Sequence, residues 1–219
     1  MFAGHIGVAM AAGRVQRQVN VGVFVFAAML LDVLLWLFVL LGWESVSIPA
    51  DFEQTHQARF VFPYSHGLLA GIGWSALAAV VAYRGFALQR VARIRISLLV
   101  ALAVFSHWIL DAMVHVPELP IAGPNSLKVG LGLWQDIPVA LVIEAVLVVG
   151  GLVLFVRGSH LSRARGLSLG LLTLVVLAFT VAGMTVASPP PSGEAMAASS
   201  LATIAVVCTL AGWIARRLG

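Results

Sequence analysis

Apolar residues run through this chain in long unbroken stretches, unlike the two-residue alternation of a half-buried strand or the one-sided stripe of a soluble helix. Windows of about 20 residues with at most one or two polar interruptions recur over 19–42, 66–83, 96–116, 137–156, 167–187 and 200–215. The pattern predicts an all-α integral membrane protein with six transmembrane helices. Residues 1–13 form a further apolar stretch, too short to span, which predicts a re-entrant or interfacial N-terminal helix. No internal repeat divides residues 1–219, so a single membrane domain is expected. Residues 1–156 would carry its polar site and 157–219 would be scaffold. Gly67-x-x-x-Gly71 and Gly166-x-x-x-Gly170 read as helix-packing faces.

Composition agrees with this pattern. With 61% apolar residues, 10% charged residues and a mean hydropathy of +1.03, a soluble globule of 219 residues is excluded. Eleven of the thirteen basic residues fall in four segments: Arg14 and Arg17; Arg84, Arg90, Arg93 and Arg95; Arg157, Arg163 and Arg165; and Arg216 and Arg217. The positive-inside rule makes that side cytoplasmic, both termini included, with 43–65, 117–136 and 188–199 outside. Glu44, Asp51, Glu53, Glu118, Asp136 and Glu194 all fall in the outer segments. The arginines are spread over short loops without an aromatic platform, so no nucleic-acid partner is expected. The single cysteine, Cys208, excludes an internal disulfide and any cysteine-based metal set. Residues 1–13 lack a basic leader, so a cleaved signal is not expected.

The remaining acids, Asp32, Asp111 and Glu144, lie inside predicted spans. Each costs about 2.5–3.5 kcal/mol at bilayer depth, roughly 8–10 kcal/mol for three, so a cation must offset them. Measured at about 1.5 Å per residue from the cytoplasmic arginines, Asp32, His107, Asp111 and Glu144 share a depth of roughly 18–24 Å, with His66 just above. His107, Asp111 and His115 step by four, fanning over about 80° of one helix face, a spacing at which imidazole and carboxylate converge on one ion. Three readings stay open: a metal site, a metal-free proton or ion pathway, and a structural polar knot. His5 would reach the cluster from the N-terminal helix, or lie incidentally on a surface. His56 and His160 read as solvated loop side chains. Ser65 reads as either a helix N-cap or a catalytic group. Asp136 is expected to line the entrance. Lys128 and Arg59, the two basic residues placed outside, would hold a lipid phosphate or snorkel to headgroups.

The order of Gly4-His5, Leu31-Asp32, Tyr64-Ser65-His66 and Ser106-His107-x-x-x-Asp111 resembles the bacterial inner-membrane metal-dependent hydrolase family with the domain of unknown function 457, over residues 1–115. The last element matches that family's Ser-His-x-x-x-Asp. Asp32 lacks the second Asp and the His of its Asp-x-Asp-His, and only Ser65-His66-Gly67 stands for its Thr-His-Ser. The resemblance implies a multi-pass protein of the bacterial inner membrane.

These readings combine into one expectation. His66, His107, Asp111 and Asp32 would hold a divalent metal ion, zinc by preference, with His5, His115 and Asp136 as additional candidates. Glu144 would be the general base on water that the metal acidifies, and Asp32 would serve catalysis as well as binding. The substrate would be an amphiphilic, lipid-like ester or phosphoester reached from the outer half of the bilayer, with membrane lipids as partners and self-association left open. The alternatives are a proton- or ion-coupled transporter or permease using the same acids, a b-type haem protein using His66 with His107 or His115, and a non-catalytic assembly subunit.

Overall fold

A computed structural model describes residues 1–216; Arg217, counted above among the terminal basic residues, lies outside the described residues. The helices are α1 (Phe2–Val15), α2 (Val21–Ala28), α3 (Leu30–Leu40), the single turn α4 (Phe52–Thr55), α5 (Leu68–Gly85), α6 (Arg90–Val114), α7 (Ile137–Gly158), α8 (Arg163–Thr185) and α9 (Gly193–Ile214). Two small antiparallel hairpins complete the chain: β1 (Ser45–Ser47) with β2 (Arg59–Val61), and β3 (Leu119–Pro120) with β4 (Lys128–Val129). Among the described residues, α5 to α9 are each long and apolar enough to cross a bilayer.

The first expected span is broken. Asn20 caps α2 by accepting from the Gly22 N–H, and the helix then bends by 50° at Met29, whose ψ of 1° leaves the helical range. Neither α2 nor α3 is long enough to cross a bilayer by itself, and the two together are. The bend puts the Ala28 carbonyl at a helix C-terminus, in need of an outside partner, and Asp32 in the first turn of α3. Likewise α6 starts earlier than expected, at Arg90, and stops at Val114, so His115 is an extended capping residue rather than a third helical ligand.

The polar and apolar surfaces are inverted relative to a soluble protein. Leu77, Val81, Leu171 and Leu174 are more than half exposed, whereas His5, His107, Asp111 and Glu144 are buried. Exposed apolar helix faces around a polar interior suit lipid as solvent, and together with the length of α5 to α9 they are consistent with a multi-pass membrane protein. The arginine-bearing ends gather: Arg95 donates to the Val15 carbonyl, and Arg165 to that of Arg216.

Helix α1, about 21 Å long at 1.5 Å per residue, is largely enclosed and does not lie on a surface. Ala3, Gly4, His5, Ile6, Gly7, Ala9, Met10 and Gly13 are all buried, and α2, α6, α7 and α8 surround it. Glycine makes this possible. A Cβ on Gly7 would stand 2.2 Å from the Leu147 carbonyl oxygen, and one on Gly151 would stand 2.1 Å from the Gly7 oxygen, so the two backbones touch directly. By contrast, a Cβ on Gly170 would meet open space and one on Gly71 only the Trp108 ring at 3.7 Å. The close-packing seam is therefore α1 with α7, not the Gly166–Gly170 face.

Gly151→Ala should force α1 away from α7, costing about 1–3 kcal/mol as an overpacked contact. A lowered thermal midpoint of the detergent-solubilised protein, against little change for Gly170→Ala, is the expected result.

Candidate metal centre

Five elements converge at the centre of the bundle. His107 and Asp111 lie one turn apart on α6, Asp32 opens α3, His5 comes from α1, Glu144 from α7, and His66 from the segment just before α5. His107 Nε2 lies 3.0 Å from Asp111 Oδ2 and 3.5 Å from Asp32 Oδ1. His66 Nε2 lies 3.4 Å and 3.6 Å from the same two oxygens. The two Nε2 atoms are 3.2 Å apart.

Partners on the far side of each ring determine what those nitrogens can do. His107 Nδ1 sits 2.6 Å from the Ala28 carbonyl oxygen, which can only accept, so Nδ1 carries the proton. Ser65 Oγ donates its proton to Glu44 Oε2 at 2.6 Å, leaving the hydroxyl to accept from His66 Nδ1 at 2.8 Å. Glu44 Oε1 also accepts from the Tyr64 and Ser65 backbone N–H groups, at 2.7 and 2.8 Å, which fixes the carboxylate. Both imidazoles therefore turn bare Nε2 lone pairs toward each other and toward two carboxylates. Four electron-rich atoms at these separations repel unless a positive ion or proton sits among them. Donation from Nδ1 to a carbonyl, or through Ser65 to a carboxylate, is the outer-shell arrangement that prepares a histidine for metal.

The spacing fits as well. Adjacent ligands around a tetrahedral ion with bonds of about 2.0–2.1 Å are about 3.3 Å apart. Within the His66, His107 and Asp111 set the separations are 3.0, 3.2 and 3.4 Å. These three buried residues can hold a metal ion, and His5, Asp32 and His107 form a second, overlapping set.

His5 stacks on His107 with centroids 3.7 Å apart and rings 7° from parallel. Its Nε2 lies 3.1 Å from Asp111 Oδ1, which also accepts from the Met1 nitrogen at 3.1 Å, while its buried Nδ1 has no hydrogen-bond partner among the described residues. Glu144 accepts the Gly4 N–H on Oε2 at 2.6 Å and leaves Oε1 buried without a partner among the described residues. His115 is 4.0 Å from Asp111 Oδ2 and is held through Nδ1 by Glu118 at 2.5 Å.

A cavity of about 460 Å³ opens from this cluster. Asp32, His66, Asp111, His115 and Glu144 line its polar end, and Trp36, Phe60, Phe62, Phe179, Met184 and Met196 contribute apolar wall. Since α8 and α9 supply part of that wall, they are more than scaffold.

Other expected residues lie elsewhere. Asp136 accepts from the Val139 N–H as the N-cap of α7 and does not line the cavity. Lys128 on β4 and Arg59 on β2, the latter 4.0 Å from Asp51, are exposed and also outside the lining. Ser65 neither caps α5, whose N-cap is Gly67, nor faces the cavity; it links Glu44 to His66. His56 is half-buried and bonds the Ala187 carbonyl through Nδ1, tying α4 to the end of α8. Glu44 was legible only as an outer-segment acid, because nothing in its local sequence signals a link to Ser65.

Comparison with known protein families, with curated proteins and with solved structures returns no match.

Burial raises the Glu44 carboxyl above the ordinary glutamate range, opposed by the donors from Ser65 and Tyr64. The neutral form is the one the protein environment favours, so its stability contribution is present at acid pH and lost as pH rises through the raised value. The ionised form is the one that orients Ser65 and His66. Glu44→Gln should weaken metal retention about 10- to 100-fold at neutral pH. Chelator competition across pH should show the wild-type and Glu44→Gln curves converging on the acid side, where wild-type Glu44 is itself neutral.

Proposed function

We propose that this protein is a membrane-embedded metal-dependent hydrolase acting on an amphiphilic ester or phosphoester. The observation carrying the reading is the pair of Nε2 lone pairs at 3.2 Å, each oriented from behind and flanked by carboxylates. His66, His107 and Asp111 are the proposed ligands, with Asp32 beside them. A nitrogen-and-oxygen donor set without thiolate suits zinc, which would bring the pKa of water to about 7 and polarise a carbonyl or phosphoryl oxygen.

The remaining steps belong to the chain's own side chains. Glu144 is anchored through Oε2 by the Gly4 N–H, leaving Oε1 to take a proton from water in the cavity and return it to the leaving group. Asp32, half-buried at the cavity wall, orients that water. The aromatic and methionine wall receives the apolar part of the substrate and excludes bulk water, and the surrounding lipid supplies amphiphiles laterally. Six spans, with α2–α3 as the broken one, and cytoplasmic termini complete the reading, in the bacterial inner membrane that the family resemblance implies.

Ion-coupled transport is a second reading, favoured by the broken pair α2–α3 at the polar site, since discontinuous helices form ion sites in transporters. Liposome proton flux abolished by Asp111→Asn, in protein that carries no metal, would select it.

Metal analysis of purified protein should give about one equivalent per chain, falling strongly in His107→Ala; less than about 0.1 equivalent in both would sink the metal reading. Glu144→Gln should retain the metal yet slow cleavage of a fluorogenic phospholipid by about 10²- to 10⁴-fold.

A further inference from the structure

At the opposite, arginine-bearing end lies a second cavity of about 600 Å³, larger than the one at the metal centre and built from different residues. Arg14 and Arg17 enter it from the end of α1 and the segment after it, Arg165 from the first turn of α8, and Arg216 from the end of α9, with His160 on the α7–α8 connection. None of the nine acidic residues of the chain lines it. Its volume is in the range of small-molecule sites.

Arginines that serve only to set topology need neither a shared cavity nor a seat. Here Arg14 has a seat. A Cβ on Gly158 would stand 1.8 Å from Arg14 Nε and 2.0 Å from its Cδ, so the arginine stem lies directly on the bare glycine backbone of α7. Arg165 is held independently by donating to the Arg216 carbonyl, and the Arg216 guanidinium lies over the Trp213 ring at 5.2 Å. Ser162, which caps α8 by accepting from the Arg165 N–H, brings the positive end of that helix to the same cavity. Planar guanidiniums held from separate helices match the oxygens of a phosphate, to which each can donate twice.

We propose that this cavity binds a phosphate-bearing anion, supplied either by a phospholipid headgroup or by a soluble phosphate compound. It is separate from the metal centre and does not depend on the hydrolase reading. Gly158 is the positioning residue: an added methyl group displaces Arg14 without removing a charge.

The test uses the full chain in detergent. In one arm inorganic phosphate is titrated calorimetrically; in the other, native mass spectrometry follows retention of phosphatidylglycerol against diacylglycerol, which lacks the phosphate. Saturable binding in either arm is expected, weakened about tenfold by Arg14→Gln and by Gly158→Ala through loss of a charge-assisted bidentate contact. Arg84→Gln, which removes an arginine from the α5–α6 end outside the cavity, should change nothing, and thermal midpoints report that each variant is folded. Binding in the lipid arm alone identifies the headgroup as the source, and binding in the phosphate arm alone identifies a soluble compound. The proposal is overturned by no saturable binding in either arm, by equal retention of diacylglycerol, or by an Arg84→Gln effect as large as that of Arg14→Gln.

Discussion

Two imidazole nitrogens, each with its ring proton drawn to the far side, are held 3.2 Å apart between carboxylates, inside a bundle whose outer surface is apolar. That juxtaposition is unfavourable by itself, because lone pairs and carboxylates in a low-dielectric interior gain nothing from one another. It becomes favourable when positive charge enters. The rest of the architecture serves to maintain the arrangement. The bend at Met29 frees the Ala28 carbonyl to receive His107, and the loop leading to α5 carries the Glu44–Ser65 pair that orients His66.

The same constraint explains why a 14-residue helix occupies the middle of the fold. The first turn of α1 lies beside the cluster and meets it with His5 and the Gly4 N–H, while its last turn carries Arg14 to the opposite cavity. Its approach to α7 depends on glycine facing backbone, since no hydrophobic force drives helices together in lipid. The two ends of the molecule divide the electrostatics. Asp32, His66, Asp111 and Glu144 collect in the interior, Arg14, Arg17, Arg165 and Arg216 gather at one end, and each group borders its own cavity.

Much of this was legible in residue order. Long apolar runs mark helices because a bilayer leaves no other way to satisfy the backbone, and α5 to α9 follow the expected spans to within a few residues, apart from the earlier starts of α6 and α9. The depth estimate brought Asp32, His107, Asp111 and Glu144 to one layer with His66 just above it, because rise per residue converts distance from an arginine into depth. Where the reading missed, the cause was local. His115 leaves the helix as its extended capping residue, so it reaches the cavity from outside the His107–Asp111 face, with Nε2 4.0 Å from Asp111 Oδ2, and Asp136 is absorbed by capping. Glu44 and Ser65 are 21 residues apart and belong to no spacing pattern.

Hydropathy and the positions of ionisable side chains thus determined, from the sequence alone, that the chain is helical, with helices long and apolar enough to cross a bilayer and with buried acids and imidazoles brought together. Both are properties of one residue and its neighbours along the chain. Only the tertiary structure decided which nitrogen of each histidine is bare, that α1 fills the centre, that α8 and α9 wall the cavity, and that Arg14 rests on Gly158. Those outcomes depend on rotation of helices about their axes and on contacts between distant segments, and neither quantity is encoded in spacing along a single helix.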